Sequence, residues 1–191
     1  MPYVAASIPT FVHYGPGKLY VAPEGSTEPT DLTTALNAAW KRAGYTDNGH
    51  TFTRTPTYEN IEVAESYLPV AKVQTGVEET VEFAYAEILA ANLQTVLNGA
   101  TVTASGTGPT AIDKIEPLAF GATEVRVALL WEADDASERW VWRRVLQTGA
   151  MAINRQKGAA KATIPATFSL EPPANGARPW MAITKSALTI T

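Results

Sequence analysis

The chain of 191 residues carries 15 lysines and arginines against 19 carboxylates, a net charge of −4, and no cysteine. Disulfides and thiolate metal centres are therefore excluded. A groove that grips phosphates needs clustered cations, and the groups present (Lys41-Arg42, Arg143-Arg144, and Arg155, Lys157 and Lys161) are short and read as solvated surface charge. Hydrophobic residues make up 46% and charged residues 18%, below the usual quarter, so the composition is that of a folded chain rather than a disordered one.

The length favours a single domain spanning 1–191, able to bury roughly 70% of its unfolded surface. The opening residues, Met1 to Pro9, have no basic start and no long apolar core, so no secretory signal is expected there. No run of apolar residues approaches the length of a membrane span.

Pro2, Pro9, Pro16, Pro23 and Pro29 punctuate the first 30 residues, which predicts an N-terminal arm over 1–17 and one short strand from Lys18 to Ala22. Asp31 can cap a helical turn reaching Ala39. Trp40 to Thr46 reads as a strand, Asp47-Asn48-Gly49 as a hairpin turn, and Thr51 to Thr57 as the returning strand. Arg54 to Gly76 holds Pro56 and Pro69 among β-prone residues that alternate imperfectly, and reads as a long protruding loop or arm.

Val77 to Tyr85 alternates at period two, with Val77, Val81, Phe83 and Tyr85 on one face and Glu78, Thr80 and Glu82 on the other. The period then becomes helical: Leu89, Leu93, Val96 and Leu97 predict a helix from Ala86 to Asn98, stopped by Gly99. Thr101 to Thr110 reads as a polar loop. Glu124 to Glu132 reads as a strand with Val125, Val127, Leu129 and Trp131 on one face. A turn over Ala133 to Ser137 leads to a return strand, Glu138 to Gln147, carrying Trp140 and Trp142. Lys161 to Leu170 alternates again, with Lys161, Thr163, Thr167 and Ser169 on its polar side. Pro165 hints at an edge, because proline cannot donate to a ladder. After Pro172-Pro173 a C-terminal segment over 172–191 ends in a strand near Ala187 to Thr191. The expected fold is mainly β: a β-sandwich or partly closed barrel of about six to nine strands with one flanking α-helix, an extended loop and terminal arms.

No catalytic constellation emerges. His13 and His50 are not at ligand spacing from each other and read as structural or exposed. Gly106 to Ala111 fits G-x-G-x-x-A, but Pro109 interrupts it and no helical stripe follows, so it is not read as a dinucleotide loop. Asp134-Asp135 reads as turn chemistry. Trp131 reads as core, while Trp140 or Trp142 suits an interface. No cofactor, metal or catalytic residue is assigned.

Several segments resemble the major tail protein of long-tailed, non-contractile bacteriophages, especially those of actinobacteria. They are Leu19 to Asp31, Ala38-Ala39-Trp40 leading to Gly44-Tyr45-Thr46, Asn48-Gly49, Thr51-Phe52-Thr53, the run from Ile61 to Phe83, and Ala162 to Phe168. The likeness is closest over about residues 15–100 and looser beyond.

The resemblance implies a structural, non-enzymatic virion protein, made in the host cytoplasm. It would self-assemble into stacked, hexameric rings forming a tail tube through which DNA is ejected without specific binding. Its partners would be itself, the tape measure protein and the tail terminator, with no membrane. On this reading Glu78, Thr80 and Glu82, with Thr163, Thr167 and Ser169, line the lumen; a plain solvated face is the alternative. Tyr58, Ile61, Tyr67 and Leu68 on the 54–76 arm would contact the neighbouring ring; a loop packed on its own domain is the alternative. Two other functions remain open: a tail terminator or head–tail connector ring protein, and a carbohydrate-binding β-sandwich module with Trp140 or Trp142 as the platform.

Overall fold

A long β-hairpin dominates one edge of the molecule. In the computed structural model, which describes residues 15–155, 157 and 161–185, strand β3 runs from Thr46 to Ile61 and β4 from Ala71 to Tyr85. The other strands among the described residues are β1 (Gly17–Pro23), β2 (Lys41–Arg42), β5 (Thr101–Ser105), β6 (Ile112–Glu116), β7 (Val127–Ala133), β8 (Glu138–Gln147), β9 (Ile164–Leu170) and β10 (Trp180–Thr184), with one helix, α1 (Ala90–Val96). The main sheet has the order β2-β1-β7-β8-β9-β4-β3, with β10 also paired to β8; β5 and β6 form a separate hairpin. All the pairings are antiparallel.

The sheet bends onto itself without closing. Its two ends are β2 and β3. Val81, Phe83 and Tyr85 of β4 and Ile164, Ala166 and Phe168 of β9 share one buried cluster with Leu19 of β1, Leu129 and Trp131 of β7, and Trp142 and Val145 of β8. This is the sandwich core, where strands of period two present one apolar face each. Strand β8 makes the corner. Its register against β7 slips between Leu129↔Trp142 and Val127↔Val145, an irregularity over Arg143-Arg144. Before that point β8 pairs with β10, and after it with β9. Such a bulge lets one strand serve two sheet halves.

The back of β1-β7-β8 is buried as well. Ala22, Ala128, Leu130 and Val141 pack under Trp40, whose indole Nε1 donates to the Thr27 carbonyl at 2.8 Å. That explains why β7 is apolar on both faces. The covering segment 24–40 is pinned by arginines: Arg139, 3% exposed, donates to the carbonyls of Asp31 (2.8 Å) and Thr34 (2.9 Å), and Arg143 forms a two-bond fork with Glu28 at 2.6 and 2.8 Å.

Several expectations are corrected. Asp31 does accept the Thr33 and Thr34 amides, at 2.7 and 2.6 Å, but no helix follows, because Asn37 opens a second local turn by taking the Ala39 amide. The expected strand 40–46 is broken in two, Lys41–Arg42 pairing with β1 and Thr46 opening β3, since Gly44 between them leaves the extended region at φ +83°. Asp47-Asn48-Gly49 is not a chain reversal. Four residues advance on β3 from Thr46 to His50 while β4 moves only from Tyr85 to Phe83, so the Asn-Gly pair forms a bulge inside β3, with Gly49 at φ +74°.

The reversal comes at residues 62–70, and most of the expected 54–76 loop is strand. Pro56 is tolerated because β3 is the sheet edge. The helix is shorter than its apolar stripe: Ala86 still donates to the Tyr45 carbonyl at 2.8 Å, and Asn98 (φ +52°) and Gly99 (φ +108°) end it. The expected polar loop at 101–110 is half strand, because Thr101 to Ser105 pairs with β6. Pro165 lies in an interior strand, at a stretch where β9 pairs with β4 alone, since β8 reaches only Phe168 to Leu170. The C-terminal segment contributes β10; the strand expected near 187–191, like His13, lies outside the described residues.

Candidate functional site: a hydroxyl and carboxylate face and a projecting hairpin

Cross-strand register decides which polar residues share a surface, because directly opposed residues of an antiparallel pair point to the same side. Glu82 opposes Thr51 on β3 and Thr167 on β9; Thr80 opposes Thr53 and Ser169; Glu78 opposes Thr55. Five of the six residues predicted for the lumen therefore stand on one continuous face, opposite the core face of Val81 and Phe83. Thr163 lies just outside the strand, before Ile164. Thr51, Thr53 and Thr55 complete the face. Their every-other-residue spacing in Thr51-Phe52-Thr53-Arg54-Thr55 is the sequence signal that marks them.

The chemistry of this face is uniform. It offers hydroxyls and two carboxylates; Thr148 and Ser169 share a hydroxyl–hydroxyl hydrogen bond of 2.8 Å at its margin. Neither Glu78 nor Glu82 has an ion-pair partner among the described residues. Arg54 belongs to the other face, where it meets Glu79 at 3.0 Å.

Three of the cations expected to be solvated, Arg143, Arg144 and Lys161, are paired with carboxylates, as are Arg126 and Arg139. Arg144 and Arg126 share Glu171 at 2.9 and 3.1 Å, Arg144 also reaches Glu24 at 3.3 Å, and Arg139 holds Glu132 at 2.6 Å. Arg126, and behind it Arg144, hold the Glu171 carboxyl below the ordinary carboxylate range. Lys161 pairs with Asp47.

Beyond the Thr57/Tyr58 register shift the hairpin changes character. Tyr58, Ile61, Tyr67 and Leu68, the residues predicted for inter-ring contact, are all exposed, as are Val63, Val70 and Val73. Tyr67 is fully open at 109%. Tyr58 and Ile61 are three apart on a strand and so face opposite sides, while Tyr67 and Leu68 sit in the reversal. Exposed apolar side chains in this number on a projecting element mark an interaction surface.

The tryptophans form a packed cluster rather than a sugar platform. Trp142 is fully buried, and Trp140 stacks on Trp180 with ring centroids 5.5 Å apart. His50 lies against Trp131 and Trp142 at 4.6 and 5.2 Å. Burial holds its imidazole below the ordinary value, with Glu138 pulling the other way. The G-x-G-x-x-A stretch is the tip of the β5–β6 hairpin, where a single 3-10 turn, Gly108–Thr110, takes the place of the α-helix that a dinucleotide loop needs. Among the described residues no group of carboxylates and histidines is arranged to hold a metal, and no helix is long and apolar enough to cross a membrane.

Residues 10–183 match the family described as phage tail tube protein. The chain belongs to that family. It is a structural protein of the virion that assembles with itself into a tube, and not an enzyme. No curated protein matches the chain.

Proposed function

We propose that this tail tube protein closes into hexameric rings that stack, and that the Glu78, Thr80, Glu82, Thr167 and Ser169 face, extended by Thr51, Thr53 and Thr55 and flanked by Thr163, lines the channel. The carrying observation is that this face has hydroxyls and carboxylates but no lysine or arginine at its register positions. A duplex bears one negative charge per about 1.7 Å, so a wall without cations cannot hold it by phosphate pairing. DNA then slides during ejection rather than binding.

Ring closure also answers a liability of the subunit. Strand β3 leaves one edge unpaired over most of 16 residues, and such edges recruit further strands. Joining subunits edge to edge around an axis covers them, and a head-to-tail contact whose rotation closes gives a ring. The hairpin tip, with Tyr58, Ile61, Tyr67 and Leu68, reaches the next ring in the stack. The tape measure protein within the channel and a terminator ring at the tube end complete the partners, on particles made in the host cytoplasm.

Negative-stain microscopy of the purified, concentrated protein tests this. Hollow tubes of stacked six-fold rings are expected. Single rings that never stack would favour a terminator or connector, and lone globules at every concentration and salt would refute assembly by the subunit alone.

A further inference from the structure

The exposed hairpin tip needs an acceptor, and the surface that fits it lies at the far end of the sheet. A cavity of about 290 Å³ opens between α1, β1 and β7, lined by Val21, Ala39, Ala91, Val125 and Val127, with Lys41 at its rim. It is mostly apolar and has room for a large side chain. Its other cation, Arg126, is already engaged by Glu171. Lys41 is exposed and has no carboxylate partner among the described residues, and neither has Arg42 beside it, which stacks on Tyr45.

The hairpin tip is the complement of this surface. Its apolar Tyr67 and Leu68 stand clear of the subunit, and the tip carries Glu59, Glu62 and Glu65 against Lys72 alone. None of the three carboxylates has an ion pair among the described residues. The placement is complementary too. The tip extends from the β3–β4 end of the sheet and the cavity adjoins the β2–β1 end. Donor and acceptor on distinct surfaces give a head-to-tail contact that every copy can make twice, once in each role, as polymerisation requires.

A second cavity, about 630 Å³ beside Arg54, Glu79, Arg178 and Trp180, lies at the root of the hairpin itself, and one of its two cations, Arg54, is spent on Glu79. Donor and acceptor would then share one edge.

We infer that the acidic, apolar tip of one copy docks by Tyr67 or Leu68 into the Lys41-rimmed cavity beside α1 of a second copy. This rests on the proposed self-assembly through the hairpin and names the surface that receives it.

The absence of native cysteine makes the test clean. Leu68→Cys with Ala91→Cys, assembled and then mildly oxidised, should run on a non-reducing gel as a ladder of covalent multimers, whereas either single variant stops at dimers. In parallel, Lys41→Glu with Arg42→Glu should raise the concentration needed for assembly about tenfold, and adding Glu62→Lys with Glu65→Lys should restore it. Tubes that form without a ladder, or charge reversals that leave the threshold unmoved, overturn the acceptor while the assembly reading stands. If the doubly substituted cysteine protein does not assemble, the charge pair alone decides. Failure of the unsubstituted protein to assemble would instead remove the reading beneath it.

Discussion

Glu82 stands directly opposite Thr167 across the β4–β9 ladder, with Thr51 opposite it on the other side, so a carboxylate without an ion-pair partner is set between two hydroxyls. The other side of the same strand is the core, where Val81 and Phe83 are buried. A charge placed at Glu82 therefore changes the surface and leaves the packing alone. Glu78→Lys with Glu82→Lys should cost within about 0.5 kcal/mol per site, because both side chains are exposed. Tubes should still form. DNA release from phage carrying the substitutions should slow by about tenfold or more, since lysines now meet phosphates along every ring. Microscopy for tubes and a dye-based ejection assay check both halves; unchanged release would return this face to ordinary solvent surface.

The alternation of Val77 to Tyr85 and of Lys161 to Leu170 makes this face legible in the sequence, because period two assigns sides without knowing partners. What alternation cannot supply is register. That Thr80 meets both Thr53 and Ser169 depends on pairings far apart in sequence. The same gap explains the misread hairpin. Asn48-Gly49 has the local chemistry of a two-residue turn, yet its positive φ serves a bulge; Pro56 disguises β3 as loop because an edge strand tolerates proline, while Pro69 sits in the reversal itself. The expected helix is too long because Ala86 to Leu89 continue the apolar stripe while the Ala86 amide is held by Tyr45. Arg139 gives no sequence signal at all: nothing local distinguishes a buried arginine whose carbonyl partners, Asp31 and Thr34, lie more than 100 residues away.

Shortening the hairpin separates folding from assembly. Replacing residues 58–75 by Asn-Gly would join Thr57 to its present partner Gly76 through a two-residue turn of favoured twist. The removed residues are almost wholly exposed, so the midpoint of chemical denaturation should shift little. Polymerisation should be lost, leaving monomers or isolated rings by sedimentation. Tubes of normal length from this variant would remove the arm from the inter-ring contact.

Arg139 joins β8, β7 and the covering segment through one guanidinium. It is bonded twice to Glu132 and once each to the Asp31 and Thr34 carbonyls, and is almost completely buried. Arg139→Ala strands a carboxylate and two carbonyls together, and should destabilise the subunit by about 3–5 kcal/mol, the scale for breaking a buried pair. Arg139→Lys should recover only part of this, because an ammonium cannot reproduce the fork. Urea denaturation of the monomeric hairpin-shortened protein measures both. Equal stability of the lysine variant and the parent would show that charge, not geometry, is what the site requires.

Acid should weaken the fold in two stages, because three groups act with the same sign. His50 is held below its ordinary 6.5 by burial against Trp131 and Trp142, so the unfolded chain takes up a proton there first. The stability it contributes is present above pH 6.5 and is lost as pH falls toward and through the folded value. Asp31 is lowered from 3.8 to about 2, chiefly by hydrogen bonds from the Thr34 hydroxyl and amide, and Glu171 is lowered by Arg126; their contributions vanish only as pH drops below about 4. The thermal midpoint should therefore decline below pH 6.5 and decline further below about 4. His50→Phe should abolish the upper stage and keep the lower. Were the midpoint instead to rise between pH 7 and 5, the indole faces and Glu138 would be stabilising an imidazolium, and attraction rather than desolvation would govern this pocket.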